Sequence, residues 1–215
     1  MRHIYCISGF GADERVFSKL NFKEVEFHFL PWFNPIKNET IEGYAKRMSE
    51  SITHAEPVLL GLSFGGIMSI EIAKQISTSK IILISSIKTF REMPLWMRLT
   101  GKLNLDKVVP LKTFKLIEPI ENYNLGIENK EELKLVQEYR STISRQYTTW
   151  ATHQIVNWKN EWIPENLAHI HGGRDHIFPI KNIKADYTIP DGGHFMIMNR
   201  AAEVNTIIER ILQHP

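Results

Sequence analysis

The sequence predicts an α/β fold: a mostly parallel sheet of about six strands flanked by helices, with a helical cap inserted mid-chain. Three observations predict it. Short apolar runs alternate with stretches of helical periodicity through residues 1–87 and again through 159–215. The run from Lys80 to Ser86 is continuously apolar and β-branched at its centre, as in a strand covered on both faces. Between the two alternating parts, residues 88–158 lose the strand rhythm and read as mixed helices and loops.

Each element follows in order. His3 to Ser8 is a short apolar run ended by Gly9-Phe10-Gly11, so a buried strand leads into a loop. Asp13 caps a following helix that carries Val16, Phe17 and Leu20. Val25 to Leu30 alternates in part and stops at Pro31, which makes a second strand. Residues 41–52 are expected to be helical, with Ile41, Ala45, Met48 and Ile52 on one face and Thr40 as cap. A third strand starts at Val58, runs into Gly61-Leu62-Ser63-Phe64-Gly65-Gly66, and gives way to a helix with Ile67, Ile70 and Ala73 along one stripe. Lys80 to Ser86 is the fourth strand.

In the insertion, Pro94, Gly101, Pro110, Pro119 and Gly126 punctuate the first part. Residues 130–150 read as one long helix with Leu133, Val136, Arg140, Ile143 and Tyr147 near one face. Strands resume with Ala168 to His171 and Ala185 to Ile189. A final helix carries Val204, Ile207, Ile208, Ile211 and Leu212 at helical spacing.

Composition narrows the class. A chain of 215 residues, 43% of them hydrophobic, suits one compact domain with an inserted subdomain. The net charge of +2 is dispersed, which argues against a nucleic-acid groove or a polybasic membrane patch. Cys6 is the only cysteine, so an intrachain disulfide is excluded, and its neighbours Ile4, Tyr5 and Ile7 make it a buried strand thiol. The N-terminus has no charged-then-apolar leader, and no apolar run approaches membrane-spanning length. A soluble, cytoplasmic protein is expected, with neither nucleic acid nor membrane as partner.

The chemistry centres on Gly61-Leu62-Ser63-Phe64-Gly65. A serine on a tight strand-to-helix turn, between small residues, presents its hydroxyl above the sheet beside a helix N-terminus. Such a serine needs a base, and the base needs a group to hold its tautomer. Of nine histidines, His194 in Gly192-Gly193-His194-Phe195 is best placed, after one strand and before a helix. The acid should follow another strand. Asp175, in Gly172-Gly173-Arg174-Asp175, does so. Asp13 reads as a cap, Asp106 lies in the insertion, Asp186 opens a strand, and Asp191 is too close to His194 in sequence to orient it. The order Ser63, Asp175, His194 matches one known triad arrangement.

On these motifs the chain resembles the α/β-hydrolase superfamily over nearly its whole length outside the insertion. The resemblance implies that Ser63, Asp175 and His194 are the catalytic triad. It also implies that the backbone N–H groups of Phe10, in Ser8-Gly9-Phe10-Gly11, and of Phe64 form an oxyanion hole. Ser8 stands where that family usually has histidine, which puts the loop's rigidity in question rather than the backbone donors. The family's first two strands have no counterpart, and Leu30-Pro31-Trp32-Phe33-Asn34-Pro35 replaces its usual Asp-x-Pro-Gly-x-Gly stretch. The short segment between Asp175 and His194 leaves little room for the helix usually found there.

The resemblance implies hydrolysis of a small-molecule ester or thioester, free or bound to a carrier protein, with no metal and no organic cofactor. In size and layout the chain is similar to small carboxylesterases, a group that includes the pimeloyl-carrier-protein methyl ester esterase. Two alternatives stay open: a lyase of the same fold that uses the triad to abstract a proton, and a non-catalytic ligand-binding member. Trp32 is either a pocket wall or a half-buried loop aromatic. Met93, Trp96 and their neighbours Leu95, Met97 and Leu99 either roof an acyl pocket or form a satellite core. Arg91, Arg98, Arg140 and Arg145 either meet an anionic substrate or a carrier-protein surface, or lie on solvated helix faces.

Overall fold

The computed structural model describes residues 2–103 and 118–213. Six strands form one sheet: β1 (Arg2–Ile7), β2 (Val25–Leu30), β3 (Val58–Leu62), β4 (Lys80–Ile84), β5 (Leu167–Gly172) and β6 (Tyr187–Ile189). Their order is β2-β1-β3-β4-β5-β6, and every pairing is parallel. The chain leaves β1 for the edge strand β2 and returns past β1 to β3. Strand order therefore reverses between β1 and β3, the kind of switch point beyond whose carboxyl ends open α/β sheets bind ligands. The register brings those ends level: Ile7 pairs with Gly61, and Leu62 with Ile84.

The helices are α1 (Ile41–Ser49), α2 (Phe64–Ala73), α3 (Leu95–Lys102), α4 (Glu118–Leu125), α5 (Lys130–Thr142), α6 (Arg145–Asn157), α7 (Met196–Asn199) and α8 (Ala201–Gln213). Strand alternation divides the core between the sheet's two faces. Ile4, Cys6, Leu60 and Ile82 pack with Val204, Ile208 and Ile211 of α8. Tyr5, Ile7, Leu59 and Ile81 pack with Tyr44 and Met48 of α1 and with Ile67 and Ile70 of α2. Cys6 is free and buried, and its burial pushes the thiol pKa far up, so it stays protonated.

Most elements lie where the sequence puts them, with four differences. Thr40 caps α1 by accepting from Gly43 N, but the helix ends at Ser49, and tight turns (Ser51 N to Met48 O, Ile52 N to Ser49 O) take up its last carbonyls. Asp13 accepts from Arg15 N, but it caps only a short 3-10 turn, Glu14–Phe17. Helix α2 is buried from Phe64 to Ile72 rather than along one stripe, because it lies between the sheet and its neighbours. The predicted long helix over 130–150 is two helices. Ile143 is extended (φ −67°, ψ 128°), and the Ser144 hydroxyl caps α6 by accepting from Tyr147 N at 3.1 Å.

The last break has a packing cause. Val136 of α5 joins the α8-side cluster, whereas Tyr147 of α6 joins the α1–α2 side, and one straight helix would have to serve both. Only a 3-10 turn, Ile180–Asn182, lies between Asp175 and β6, in keeping with the short spacing. Pro110 and Asp106 lie outside the described residues. Among the described residues, no helix is long and apolar enough to cross a membrane.

Candidate active site

Ser63 joins β3 to α2 with φ 53° and ψ −117°, a conformation rare for a residue with a side chain. Such strain costs on the order of 1–3 kcal/mol and persists only where the surroundings fix it. Ser63 N donates to Ile84 O at 2.9 Å, and the Ser86 hydroxyl donates to Ser63 O at 2.6 Å. The flanking glycines are steric necessities. A Cβ on Gly65 would lie 2.1 Å from Ile7 O, and one on Gly61 would lie 2.4 Å from Gly65 O. Without a side chain on Gly65 the turn closes against β1, and without one on Gly61 the start of α2 packs against β3.

His194 lies in the loop between β6 and α7. Its Nε2 is 2.8 Å from Ser63 Oγ, and its Nδ1 is 2.8 Å from Asp175 Oδ2. Asp175 is buried just beyond β5, and its Oδ1 accepts from Ile177 N at 2.8 Å and Phe178 N at 2.9 Å. With the carboxylate held so, the His194 proton sits on Nδ1 and the Nε2 lone pair faces the serine hydroxyl. The segments that carry Asp175 and His194 are tied to each other: Arg174 N donates to Gly192 O, and Gly173 N to Ile189 O, both at 2.8 Å. Asp191 instead pairs on the surface with Arg174 at 2.6 Å, and Asp186 accepts from His169 N at 2.8 Å. The structure thus brings together Ser63, Asp175 and His194 and leaves the other described aspartates elsewhere.

No protein-family model and no curated protein matches the sequence. Solved structures do match. An esterase from Thermogutta terrifontis superposes with a TM-score of 0.74 at 16% identity, over 99% of this chain and 90% of that one. A hydrolase from Oleispira antarctica gives 0.73 at 13% identity, over 100% of this chain and 92% of that one. An epoxide hydrolase from Bacillus megaterium gives 0.69 at 13% identity, over 99% and 94%. The chain has the α/β-hydrolase fold. At these identities the likeness is one of architecture, and chemistry must be argued from the site.

Within this α/β-hydrolase fold, the loop after β1 lies against the serine. A Cβ on Gly9 would be 3.5 Å from Ser63 Cβ. Ser8 keeps the loop in place without the usual histidine: its hydroxyl donates to Ala12 O at 2.6 Å. Trp32 adds a second tie, donating from Nε1 to Ser8 Oγ at 3.0 Å and Gly9 O at 3.1 Å. The Phe64 N–H is one of the α2 N-terminal donors that have no acceptor inside the helix.

Trp32 also lines a cavity of about 620 Å³ with Ser8, Phe17, Leu30, Ile143 and Tyr147. Its volume is in the usual range for small-molecule sites. Ser63 and His194 are not on its wall; Ser8, Gly11 and Ala12 of the loop after β1 are. Met93 and Trp96 are not on it either. Met93 is buried in the α1–α2-side core, whereas Trp96 is 62% exposed. Pro94 precedes α3, and the helix turns Leu95, Trp96 and Leu99 outward, so the predicted apolar cluster is divided. Arg91 pairs with Glu161 at 2.6 Å and Arg140 with Glu121 at 3.2 Å.

Two features near Ser63, Asp175 and His194 escaped sequence reasoning. Tyr147, buried in α6, is 5.8 Å from the Phe10 ring and 5.5 Å from Trp32 between centroids. The Ser144 cap three residues earlier was the signal for the helix start that positions it. His169 and His171 are fully buried side by side on β5, with His171 Nδ1 3.2 Å from His169 Nε2. His171 Nε2 donates to Phe178 O at 2.8 Å and lies 3.5 Å from Asp175 Oδ2. Desolvation pushes both imidazoles below the usual histidine pKa, His169 farthest, so both are neutral. Two histidines at alternate positions on an apolar strand were the sequence signal.

Proposed function

We propose that the protein is a serine hydrolase that cleaves a carboxylic ester or thioester through an acyl-serine intermediate. The observation that carries this is the position of His194, 2.8 Å from Ser63 Oγ on one side and 2.8 Å from Asp175 on the other. His194 Nε2 removes the Ser63 proton as Oγ attacks the carbonyl carbon. Asp175 stabilises the imidazolium that forms. The oxyanion is held by the N–H groups of Phe10 and Phe64. Collapse breaks the bond to the alkoxide or thiolate, which takes the proton from His194. Water, deprotonated by His194, then attacks the acyl carbon and releases the acid and Ser63.

In this reading, residues 1–87 and 159–215 form the catalytic core, and residues 88–158 are a cap that sets specificity for a small-molecule acyl substrate. Nucleophile, base and orienting acid all come from the chain, so the cycle as written uses no metal or organic cofactor. The solved structures of esterases and hydrolases with this fold support the same reading.

A panel of p-nitrophenyl esters and acyl thioesters of increasing chain length tests it. The wild type should turn over some of them with saturation, and Ser63→Ala should lose at least about a thousandfold in kcat. Equal rates for the two proteins across the panel would overturn the proposal.

A further inference from the structure

At the opposite end of the sheet from Ser63, three histidines from separate segments meet. They are His3 on β1, His28 on β2 and His54 in the loop between α1 and β3. One ring nitrogen of each lies within 4.8 Å of the others. The sheet itself builds two corners: His3 pairs with Glu26 and Tyr5 with His28, so alternation puts all four side chains on one face. His3 Nδ1 is 3.0 Å from His28 Nε2, and the Glu26 carboxylate lies 3.4 Å from the first and 3.9 Å from the second. His54 closes the group from above, its ring 3.5 Å from that of His3 and nearly parallel to it. All three histidines are half-buried.

We propose that His3, His28 and His54, with Glu26 as fourth ligand, bind a divalent transition-metal ion of the zinc class. The donor set, three imidazoles and a carboxylate, is that of borderline-soft ions rather than of magnesium or calcium. In a tetrahedral site with bonds of about 2.0–2.1 Å, neighbouring ligand nitrogens are about 3.3 Å apart. The His3–His28 separation already has that size, and the ion takes the place of the proton these two nitrogens share. Ligation tilts the His3 and His54 rings out of their stack to close the remaining gap.

The outer contacts suit this role. His54 Nδ1 is 2.7 Å from the Tyr5 hydroxyl oxygen, which also accepts from Thr53 N at 3.0 Å. With an ion on Nε2, His54 Nδ1–H donates to Tyr5, and Tyr5 O–H donates on to Thr53 Oγ1, 3.2 Å away. A hydrogen-bonded second nitrogen is what fixes the tautomer and orientation of a metal-binding histidine. The five residue-to-residue steps from His3 on β1 to Ser8 in its following loop span about 16 Å, so an ion here takes no part in the proposed acyl transfer.

The test is titration of Zn²⁺ into the metal-stripped full chain by calorimetry, with Co²⁺ absorption as a report of coordination. One ion per chain is expected, with the intense visible bands of four-coordinate Co²⁺. His28→Ala and His54→Ala should each weaken binding by about tenfold or more and abolish those bands, while ester turnover stays unchanged. His54→Gln lies in a loop and should give the same result if a substitution on the strand impairs folding. Absence of saturable binding, or binding equally tight in a His28→Ala/His54→Ala double variant, would overturn the assignment.

Discussion

The indole of Trp32 lies flat on the ring of Phe64, with centroids 5.0 Å apart and planes within 5°. The same indole N–H donates to Gly9 O and Ser8 Oγ. One side chain thus joins the residue after Ser63 to the loop after β1, the two places that supply the proposed oxyanion donors. Trp32→Phe keeps an aromatic ring against Phe64 and removes the N–H. With one or two hydrogen bonds lost, kcat should fall about threefold to tenfold while KM moves less. Steady-state kinetics on a p-nitrophenyl ester checks this. An unchanged kcat with a raised KM would make Trp32 a pocket wall only.

Asp175 takes two backbone N–H bonds on one oxygen and His194 on the other. Asp175→Asn preserves shape but presents a donor where His194 Nδ1 needs an acceptor. The imidazole is then held in the wrong tautomer, and kcat should fall by about 10⁴ with the fold intact. Kinetics paired with circular dichroism separates this from unfolding.

Two glycines should respond in opposite ways. In Gly65→Ala the new methyl meets Ile7 O at 2.1 Å and Ser8 O at 2.4 Å, both backbone atoms of the sheet and its adjoining loop. That variant should lose soluble folded protein or fall steeply in Tm. Gly43 sits inside α1, where a Cβ would find nothing nearer than Thr40 Oγ1 at 3.6 Å. Gly43→Ala should stabilise the protein by about 0.5–1 kcal/mol through helix propensity. Thermal denaturation measures both.

His169 and His171 make stability depend on pH. Burial lowers their folded-state pKa values from 6.5, so the folded protein holds them neutral while the unfolded chain protonates them. The unfolded state therefore binds more protons below that value. Stability is full above pH 6.5 and falls as the pH drops toward the lowered folded values. Each histidine contributes a slope of up to about 1.4 kcal/mol per pH unit. Denaturant unfolding across this range should show the fall, and His169→Gln, which cannot titrate, should make it shallower.

The sheet and the elbow were legible because they depend on local pattern. Strands β3 and β4 are continuous apolar runs, and Gly61 and Gly65 are demanded by backbone contacts that any such turn makes. Asp175 emerged by its position after a strand. The break at Ile143 was not legible, because Ile143 and Tyr147 continue a helical spacing and only the Ser144 cap and the change of packing side interrupt it. Met93 and Trp96 were adjacent in one apolar stretch, yet the start of α3 sends one inward and the other outward. The meeting of Trp32, Phe64 and Tyr147 joins segments far apart in sequence, so no local pattern records it. The same holds for His3, His28 and His54.

The central claim is that Ser63 is a nucleophile activated by His194. Intact-protein and peptide mass spectrometry after reaction with a fluorophosphonate tests it most directly. The account predicts one covalent adduct per chain, on the peptide containing Ser63, absent in Ser63→Ala and formed far more slowly in His194→Ala. An unmodified wild-type chain, or an adduct on another residue, would contradict it.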